Sequence, residues 1–310
     1  MSKVKSYLSL IKFSHTIFAM PFALIGFSLG LIKWNLELPG LNLNETIGWA
    51  PKSFNITWDQ ILLKLLLVIL CMAFARSAAM AFNRYLDRSF DAKNPRTAIR
   101  EIPAGILKAD NVLFFTIISC LLFIACTFFI NKICLFLSPI ALFVVLGYSY
   151  TKRFTPLCHL ILGLGLSLAP IGAYLAVTGR FDFLPILFSF TVLFWVSSFD
   201  IIYALQDEQF DRQHHLNSIP ETFGASRALF LSRNLHAASS LFLLGAGISG
   251  KLSWLYFAGW IIFSSMLVMQ HRLVKANDLS RVNIAFATTN GIASVLFGLI
   301  TIISLLIFRA

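Results

Sequence analysis

The chain has 310 residues, of which 58% are hydrophobic and only 13% are charged. This supply of polar residues is too small to cover a soluble globule of that size, which excludes a soluble globular protein. The net charge of +11 does not indicate a nucleic-acid partner, because the basic residues cluster beside long apolar runs, as they do at the ends of membrane helices.

Nine apolar stretches follow one another along the chain, each about 20 residues long, enough for an α-helix to cross ~30 Å of hydrocarbon. Helices are expected because lipid cannot satisfy exposed backbone polar groups. The sequence therefore predicts an all-α integral membrane protein, with nine transmembrane helices in one bundle and a single domain over residues 1–310. The predicted spans are 13–33, 60–82, 111–130, 133–150, 157–178, 184–205, 228–248, 252–271 and 284–308.

The basic residues also predict the orientation. With the amino terminus inside, 17 of the 25 basic residues lie on the inner side and six on the outer side, while Lys64 and Arg76 fall within a span. Such a bias marks the cytoplasmic side of a membrane. We therefore expect a multi-pass protein of the bacterial cytoplasmic (inner) membrane, with the polar segments after spans two and six both on the cytoplasmic side.

A first acidic set follows the second span. Asn83, Asp87 and Asp91 are spaced i, i+4, i+8, which stacks three oxygen-bearing side chains on one helix face. Such a face suits Mg²⁺, which bridges carboxylate and phosphate oxygens, so we predict a metal and diphosphate site. Arg96 and Arg100 in the loop that follows are placed to cover the diphosphate. The alternative is a solvated helix end.

A second acidic set follows the sixth span. Asp200, Asp207 and Asp211 are spaced so that they share one helix face, and Asp200 is the carboxylate that we expect to be most buried. Tyr203 lies one turn after Asp200, either as a substrate contact or as a packed aromatic residue. The two sets predict a polar cavity that opens to the inner face and holds one ligand from two sides.

Three basic residues near these sets have two interpretations each. Arg76 lies seven residues before Asn83, so it is either half of an internal salt bridge or a donor to the diphosphate. Asp200 is expected to pair with a cation such as Arg76 or Lys152. Lys152 and Arg153 lie in a short inner connection, where they are either ordinary topology signals or receptors for an anionic group of a second substrate.

Further observations limit the possible functions of the protein. No G-x-x-x-x-G-K-[ST], G-x-S-x-G or H-E-x-x-H pattern is present, which removes the usual ATPase, hydrolase and zincin functions. An ion- or proton-coupled transporter that uses Asp87, Asp200 and Asp207 remains an alternative, although transporters usually place such groups near the bilayer midplane.

The glycines of the fifth span predict close helix contacts at Gly163, Gly165 and Gly172.

These motifs together resemble the UbiA superfamily of intramembrane aromatic prenyltransferases. The resemblance extends over nearly the whole chain and rests on the runs Arg76-x6-Asn83-x3-Asp87-x3-Asp91, Asn94-Pro-Arg96-Thr-x2-Arg100-x2-Pro103-x-Gly105 and Asp200-x2-Tyr203-x3-Asp207-x3-Asp211. The segment from Lys12 through His15 to Pro21 is most similar to the branch of 4-hydroxybenzoate polyprenyltransferase-like proteins. That branch includes members assigned to menaquinone synthesis by the futalosine route.

The resemblance implies a nine-helix bundle, a polyprenyl diphosphate bound with Mg²⁺, and an aromatic acceptor with a carboxylate. The acceptor would be 4-hydroxybenzoate or a dihydroxynaphthoate, and the product a ubiquinone or menaquinone precursor. One departure is Glu101, where many hydroxybenzoate enzymes have proline, and it bears on the acceptor more than on the chemistry. Haem farnesylation is the alternative within the enzyme class.

The resemblance also implies roles for individual positions. The expected metal ligands are Asn83, Asp87, Asp91, Asp207 and Asp211. Substrate contacts are expected from Arg76, Arg96, Arg100, Lys152, Arg153 and Tyr203, with Lys152 or Arg153 meeting the acceptor carboxylate. Catalysis is expected to depend on Asp200, Arg76, Asp87 and Asp207. The ring proton would pass either to Asp200 or to the released diphosphate.

Overall fold

Long helices account for most of the chain. The computed structural model describes residues 3–11, 18–35 and 58–308, and no strand occurs among them. The helices are α1 (Lys3–Leu10), α2 (Met20–Asn35), α3 (Trp58–Leu86), α4 (Arg88–Asp91), α5 (Ala109–Ile130), α6 (Lys132–Thr151), α7 (Cys158–Thr178), α8 (Phe183–Ala204), α9 (Glu208–Gln213), α10 (Ile219–Ser249), α11 (Trp254–Leu273) and α12 (Asn290–Ile307). A 3₁₀ turn at Leu205–Asp207 joins α8 to α9, and a π-helix at Ile284–Thr289 leads into α12.

Within the described residues, a helix lies at each of the nine predicted spans. Six segments among them are long and apolar enough to cross a membrane, namely Trp58–Leu86, Ala109–Ile130, Lys132–Thr151, Cys158–Thr178, Phe183–Gln213 and Ile284–Ile307. The chain is thus a multi-pass membrane protein, and nine crossings remain a prediction. The apolar part of α2, Met20–Ile32, is shorter, and the predicted beginning of that span, with His15, lies outside the described residues.

The long helices pack in chain order. Contacts run from α2 to α3, α5, α6, α7, α8, α10, α11 and α12 in turn, and α12 returns to α2. In addition α2 packs against α7, and α3 packs against α6. The contact between α2 and α7 crosses the ring, so these two helices belong to both of its halves.

One half of the ring is filled by aromatic side chains. Phe22, Trp195, Phe263 and Phe297 are fully buried, and the ring centroids of Phe22 and Trp195 lie 5.4 Å apart. The Trp195 indole N–H donates to Asn290 Oδ1 at 2.9 Å, which satisfies the buried polar atom. This half, built by α2, α8, α11 and α12, is densely packed, and a cavity lies in the other half.

The glycines of α7 differ in their surroundings. A Cβ at Gly163 would collide with the carbonyl oxygen of Leu193, so the predicted close contact with α8 is confirmed there. At Gly165 a Cβ would lie 3.5 Å from Val145 Cγ1, an ordinary contact. The prediction is wrong for Gly172, which has nothing within 4 Å of its Cβ position because it lines a cavity.

This difference predicts a matched pair of variants. Gly163→Ala should lower the melting temperature of the detergent-solubilised protein, since α7 and α8 would have to move apart, at a cost of about 1–3 kcal/mol. Gly172→Ala should leave the melting temperature unchanged or raise it, because alanine is favoured over glycine in a helix by up to about 1 kcal/mol. Equal melting temperatures for the two variants would contradict the close packing at Gly163.

Candidate active site

The polar residues singled out in the sequence meet at one end of the bundle. The carboxyl ends of α3, α6 and α8 lie there beside the amino ends of α7 and α10, because these helices alternate in direction. The segment 92–108, between α4 and α5, lies across the same end. Hydrogen bonds and ion pairs join all of these elements.

The first acidic set keeps its helical stacking. The Asn83 amide donates to Asp87 Oδ2 at 3.1 Å. The backbone N–H of Asp91 donates to the Asp87 carbonyl at 2.8 Å, so the i, i+4, i+8 arrangement persists across the junction of α3 and α4. Two basic side chains approach the carboxylates: Arg153 Nη2 lies 3.2 Å from Asp87, and Arg100 Nη1 lies 2.6 Å from Asp91.

Asp87 lies in a desolvated position. Burial raises the pKa of Asp87 to about 6, and the positive charge of Arg153 opposes this rise. The group is therefore mainly a carboxylate at neutral pH, although its charged form is poorly solvated. A cation close to the carboxylate would stabilise that charged form, which is the electrostatic setting of a metal ligand.

The second acidic set departs from the predicted single helix face. The chain passes from α8 into the 3₁₀ turn at Leu205–Asp207, where the pitch tightens from about 3.6 to about 3.0 residues per turn. As a result Asp200, Asp207 and Asp211 meet different partners. Asp211 is fully buried, and its Oδ1 lies 2.7 Å from Lys152 Nζ.

Arg96 joins the two acidic sets. Its guanidinium contacts both carboxylate oxygens of Asp207, through Nη2 and through Nε at 3.0 Å, and it donates to the Tyr203 hydroxyl at 3.1 Å. The Asn94 amide also donates to Asp207, at 3.1 Å. Burial alone would lower the pKa of Arg96, but Asp207 and Tyr203 raise it above its usual value. The predicted meeting of the two regions is therefore present.

Tyr203 serves in packing and in hydrogen bonding at once. Its ring lies 4.2 Å from that of Phe286, centroid to centroid, in the π-helix before α12. Its hydroxyl accepts from Arg96. Tyr203 is therefore the packed aromatic residue that the sequence offered as one interpretation, and its ring holds the hydroxyl in place. The substrate contact stays a prediction.

Asp200 has a partner that the sequence did not predict. Its Oδ2 lies 2.7 Å from His159 Nδ1. The expected pairing with Lys152 is wrong, since Lys152 is bound to Asp211 instead. The reason lies in the packing of α7 along α8, which brings the first turn of α7 next to Asp200.

An apolar cavity of about 370 Å³ extends from this polar end between α3, α5, α6 and α7. On α3 its walls run from Val68 to Met80, which corresponds to roughly 18 Å of helix. Arg76 and Tyr148 line it toward the acidic sets. Tyr148 is close enough to Asp87 and Asp200 to interact with both charges. The cavity thus combines a charged end with a long apolar body.

Two features of the acidic residues bear on metal binding. Within the described ranges, no three His, Cys, Asp or Glu side chains lie together as a ready metal-binding group. Each of Asp87, Asp91, Asp207 and Asp211 holds an arginine or a lysine instead. The donor chemistry nevertheless fits Mg²⁺, which prefers oxygen and usually takes one or two carboxylates together with waters and substrate phosphates.

Comparison with known proteins identifies the family. Residues 49–302 match the UbiA prenyltransferase family. The chain belongs to this family. It is therefore an enzyme, a prenyltransferase, as the motif resemblance indicates, and the transporter alternative loses its support.

Individual members of the UbiA family agree with this assignment. A protein of Aeromonas salmonicida named 4-hydroxybenzoate octaprenyltransferase is 30% identical over 75% of this chain and 80% of its own length. A UbiA homologue from Aeropyrum pernix K1 superposes with a TM-score of 0.77 at 27% identity, over 93% of this chain and 97% of that one. A homologue from Archaeoglobus fulgidus, bound to DMAPP and Mg²⁺, has the same fold, with a TM-score of 0.69 at 19% identity over 97% and 99% of the two chains.

The sequence predicted no individual role for three polar residues of this UbiA-family site. They are His159, the amide of Asn94 and Arg84, whose side chain is only 4% exposed. Arg84 directly follows Asn83, and Asn94 belongs to the segment that carries Arg96. His159 had a signal of its own, because a histidine at the start of a membrane span needs a polar partner.

Proposed function

We propose that this prenyltransferase transfers a polyprenyl group from polyprenyl diphosphate to an aromatic carboxylic acid, 4-hydroxybenzoate or a dihydroxynaphthoate, in quinone biosynthesis. One observation carries the proposal. Two acidic sets and four basic side chains meet at the end of an apolar cavity, and Arg96, from the segment after the first set, is bonded to Asp207 and Tyr203 of the second region. A charged group attached to a long apolar chain matches both parts of that cavity.

The diphosphate would lie at the charged end. Arg96, Arg100, Lys152 and Arg153 each hold a carboxylate in the structure. A diphosphate is a competing anion with several oxygens, and arginine binds such groups through two parallel hydrogen bonds. Arg96 and Arg100 can therefore turn from their carboxylates to the phosphates, with Arg76 donating from the cavity wall, while Lys152 and Arg153 can turn to the acceptor.

Once their cations turn away, the carboxylates are left to bind metal. Asn83, Asp87 and Asp91 would hold Mg²⁺ from one side, and Asp207 and Asp211 from the other. The metal-bound homologue from Archaeoglobus fulgidus supports this use of the shared fold. When bound, Mg²⁺ would supply charge neutralisation that makes the diphosphate a better leaving group.

The apolar cavity would receive the prenyl chain. Its walls come from α3, α5, α6 and α7 and are mostly apolar, with Arg76 and Tyr148 toward the acidic sets. A water-poor environment protects an allylic cation, or a transition state close to one, from hydrolysis. The residues that line the cavity thus exclude water, while the charged end draws the diphosphate away from the allylic carbon.

The acceptor would bind beside the charged end with its carboxylate on a cation. Relatives named 4-hydroxybenzoate octaprenyltransferase support an acceptor of this class. Arg153 is the best placed residue, because its guanidinium lies 5.3 Å from the centre of the Tyr150 ring and 5.7 Å from that of Phe90. An aromatic acid could contact the cation and the rings together. Lys152 is the second candidate.

Orientation and pathway complete the proposal. The positive-inside bias of the sequence supports an active site on the cytoplasmic side of the bacterial inner membrane. With 4-hydroxybenzoate as acceptor, the product would enter ubiquinone synthesis. With a dihydroxynaphthoate it would enter menaquinone synthesis, as the resemblance to the futalosine branch suggests.

The direct test is an activity assay on the purified protein in lipid nanodiscs. With geranyl diphosphate and Mg²⁺, a panel of hydroxybenzoates and dihydroxynaphthoates should yield a prenylated acid and free diphosphate in equal amounts. Chelation of Mg²⁺ should reduce the rate about 100-fold or more, because the leaving group loses its neutralising charge.

Matched phenols and naphthols without a carboxylate serve as controls for the acceptor. They should react much more slowly than the acids, because the cation intended for the carboxylate would then have no partner. Equal rates with and without the carboxylate would refute the aromatic-acid assignment. Prenylation of haem in place of the acids would redirect the proposal to haem farnesylation.

A further inference from the structure

A hydrogen-bonded chain crosses three helices next to the proposed site. His159, in the first turn of α7, places Nδ1 at 2.7 Å from Asp200 Oδ2 on α8. Its other ring nitrogen, Nε2, lies 3.4 Å from the backbone nitrogen of Ile219, the first residue of α10. The His159 side chain is 3% exposed, whereas that of Asp200 is 23% exposed.

The direction of these bonds determines the tautomer. A backbone N–H can only donate, so the Ile219 N–H requires a lone pair on His159 Nε2. The ring proton is therefore on Nδ1, where it is donated to Asp200. In this arrangement Asp200 is a carboxylate with one oxygen occupied by His159. Its other oxygen, Oδ1, has no hydrogen-bond partner among the described residues.

Asp200 lies near the polar end of the cavity. Tyr148, which lines that end with Arg76, is close enough to Asp200 to interact with its charge. Leu162, one helical turn after His159, lines the cavity as well. Asp200 thus contacts His159 and lies near Tyr148, which lines the space in which the acceptor ring and the allylic carbon would meet.

Asp200 differs from the other carboxylates of the site in its partner. Asp87, Asp91, Asp207 and Asp211 each contact an arginine or a lysine, whose positive charge reduces the tendency of a carboxylate to accept a proton. The contact of Asp200 is instead the imidazole of His159, which holds one carboxylate oxygen and leaves the other open. The open oxygen can accept a proton, and its orientation depends on His159.

We propose that His159 is a positioning residue for Asp200, and that Asp200 Oδ1 accepts the ring proton of the aromatic acid. The inference rests on the proposed function. The allylic C–O bond breaks and the diphosphate leaves with the electron pair, while ring π electrons form the new C–C bond. The C–H bond at that ring carbon then breaks, its electrons restore the aromatic system, and its proton passes to Asp200.

Two substitutions separate the Asp200 contact from the rest of the side chain. Asparagine can present an N–H donor near the place of Nδ1, so His159→Asn keeps the bond to Asp200. Glutamine places its amide nearer to Nε2, so His159→Gln keeps a partner for the Ile219 N–H and loses that bond. His159→Gln should lower kcat about 100-fold, the lower end of what a positioned general base contributes, and His159→Asn should restore most of it.

The readouts distinguish a proton-transfer role from a structural one. The KM for geranyl diphosphate, and the thermal stabilisation of each variant by geranyl diphosphate with Mg²⁺, should stay at wild-type values. With an acceptor deuterated at the prenylated ring carbon, the isotope effect on kcat should be larger in His159→Gln than in the wild type. The slower proton loss then limits turnover.

Each contrary outcome has a defined meaning. If the wild-type enzyme forms no prenylated acid, the proposed function fails, and this inference fails with it. If the wild type is active, the inference alone is overturned by a His159→Gln variant that is as fast as the wild type. It is also overturned by a His159→Asn variant that is as slow as His159→Gln, or by an unchanged isotope effect.

Discussion

Alanine at both Asp87 and Asp207 is expected to abolish prenyl transfer while the protein stays folded in detergent. The two carboxylates approach the site from different elements, α3–α4 and α8–α9, so the double variant removes metal ligands from both sides. Loss of one electrostatic stabiliser of a transition state costs about 10²–10³ in rate, and loss of two independent ones should therefore cost roughly 10⁴ or more. The measurement is the rate of prenylated product in nanodiscs.

The ion pairs of the structure make this variant more informative. Removing Asp87 and Asp207 leaves Arg153 and Arg96 without the carboxylates that they contact. The site then becomes more positive, so geranyl diphosphate should bind without Mg²⁺ even though turnover is lost. Thermal stabilisation by geranyl diphosphate, measured with and without Mg²⁺, reports this change directly. Stabilisation that still requires Mg²⁺ would mean that other residues hold the metal.

A matched control uses two carboxylates outside the site. Asp59 and Asp110 are exposed residues in the first turns of α3 and α5. Alanine at both positions removes the same amount of charge and should leave turnover close to the wild-type rate, because exposed charges contribute little. Retained prenyl transfer in the Asp87 and Asp207 double variant would end the interpretation of these residues as metal ligands.

Arg96→Met is expected to reduce kcat/KM for the prenyl diphosphate about 100-fold to 1,000-fold. Arg96 contacts Asp207 and Tyr203 in the structure and is proposed to turn toward the diphosphate when it binds. Methionine has a similar length and no charge, so it removes the donor groups without emptying the space. The expected size is that of losing one positioned donor to a charge that develops in the transition state.

The same substitution should also lower stability. The Asp207 side chain is 13% exposed and would keep only the Asn94 amide, so we expect a loss of about 1–3 kcal/mol, measured by thermal denaturation. Arg212→Met is the control, because Arg212 is 61% exposed and its pair with Glu208 is a surface contact. If Arg96→Met raised only the KM of the aromatic acid, its proposed contact with the diphosphate would be refuted.

The helices could be located from the sequence because hydrophobicity is a local property. The prediction of 133–150 differs from α6, Lys132–Thr151, by one residue at each end. In α10 the first helical turn begins at Ile219, nine residues before the predicted start of the span, and a kink at Gly224, where φ is 76°, separates this turn from the rest of the helix. There the Ser218 hydroxyl caps the helix by accepting from the Glu221 N–H at 3.3 Å. Apolarity indicates where a helix crosses lipid, whereas hydrogen bonds and caps decide where it ends.

The candidate site was predictable to the same extent. Spacing placed Asn83, Asp87 and Asp91 in one stack, and the backbone hydrogen bonds between these turns keep it. The same argument was insufficient for the second set, because it assumed a continuous helix through the 3₁₀ turn at Leu205–Asp207. The metal and substrate roles of these residues remain predictions, to be tested by the variants above.

The sequence by itself therefore determined the membrane helices, the two acidic sets and the family. Only the tertiary structure decided which cation meets which carboxylate, and that Asp200 pairs with His159, 41 residues earlier in the chain. It also distinguished Gly163, against the α8 backbone, from Gly172, at the open cavity. The physical reason is common to all three. Contacts between helices depend on their rotation and register, which arise from the packing of the whole bundle and leave no periodic pattern in any single segment.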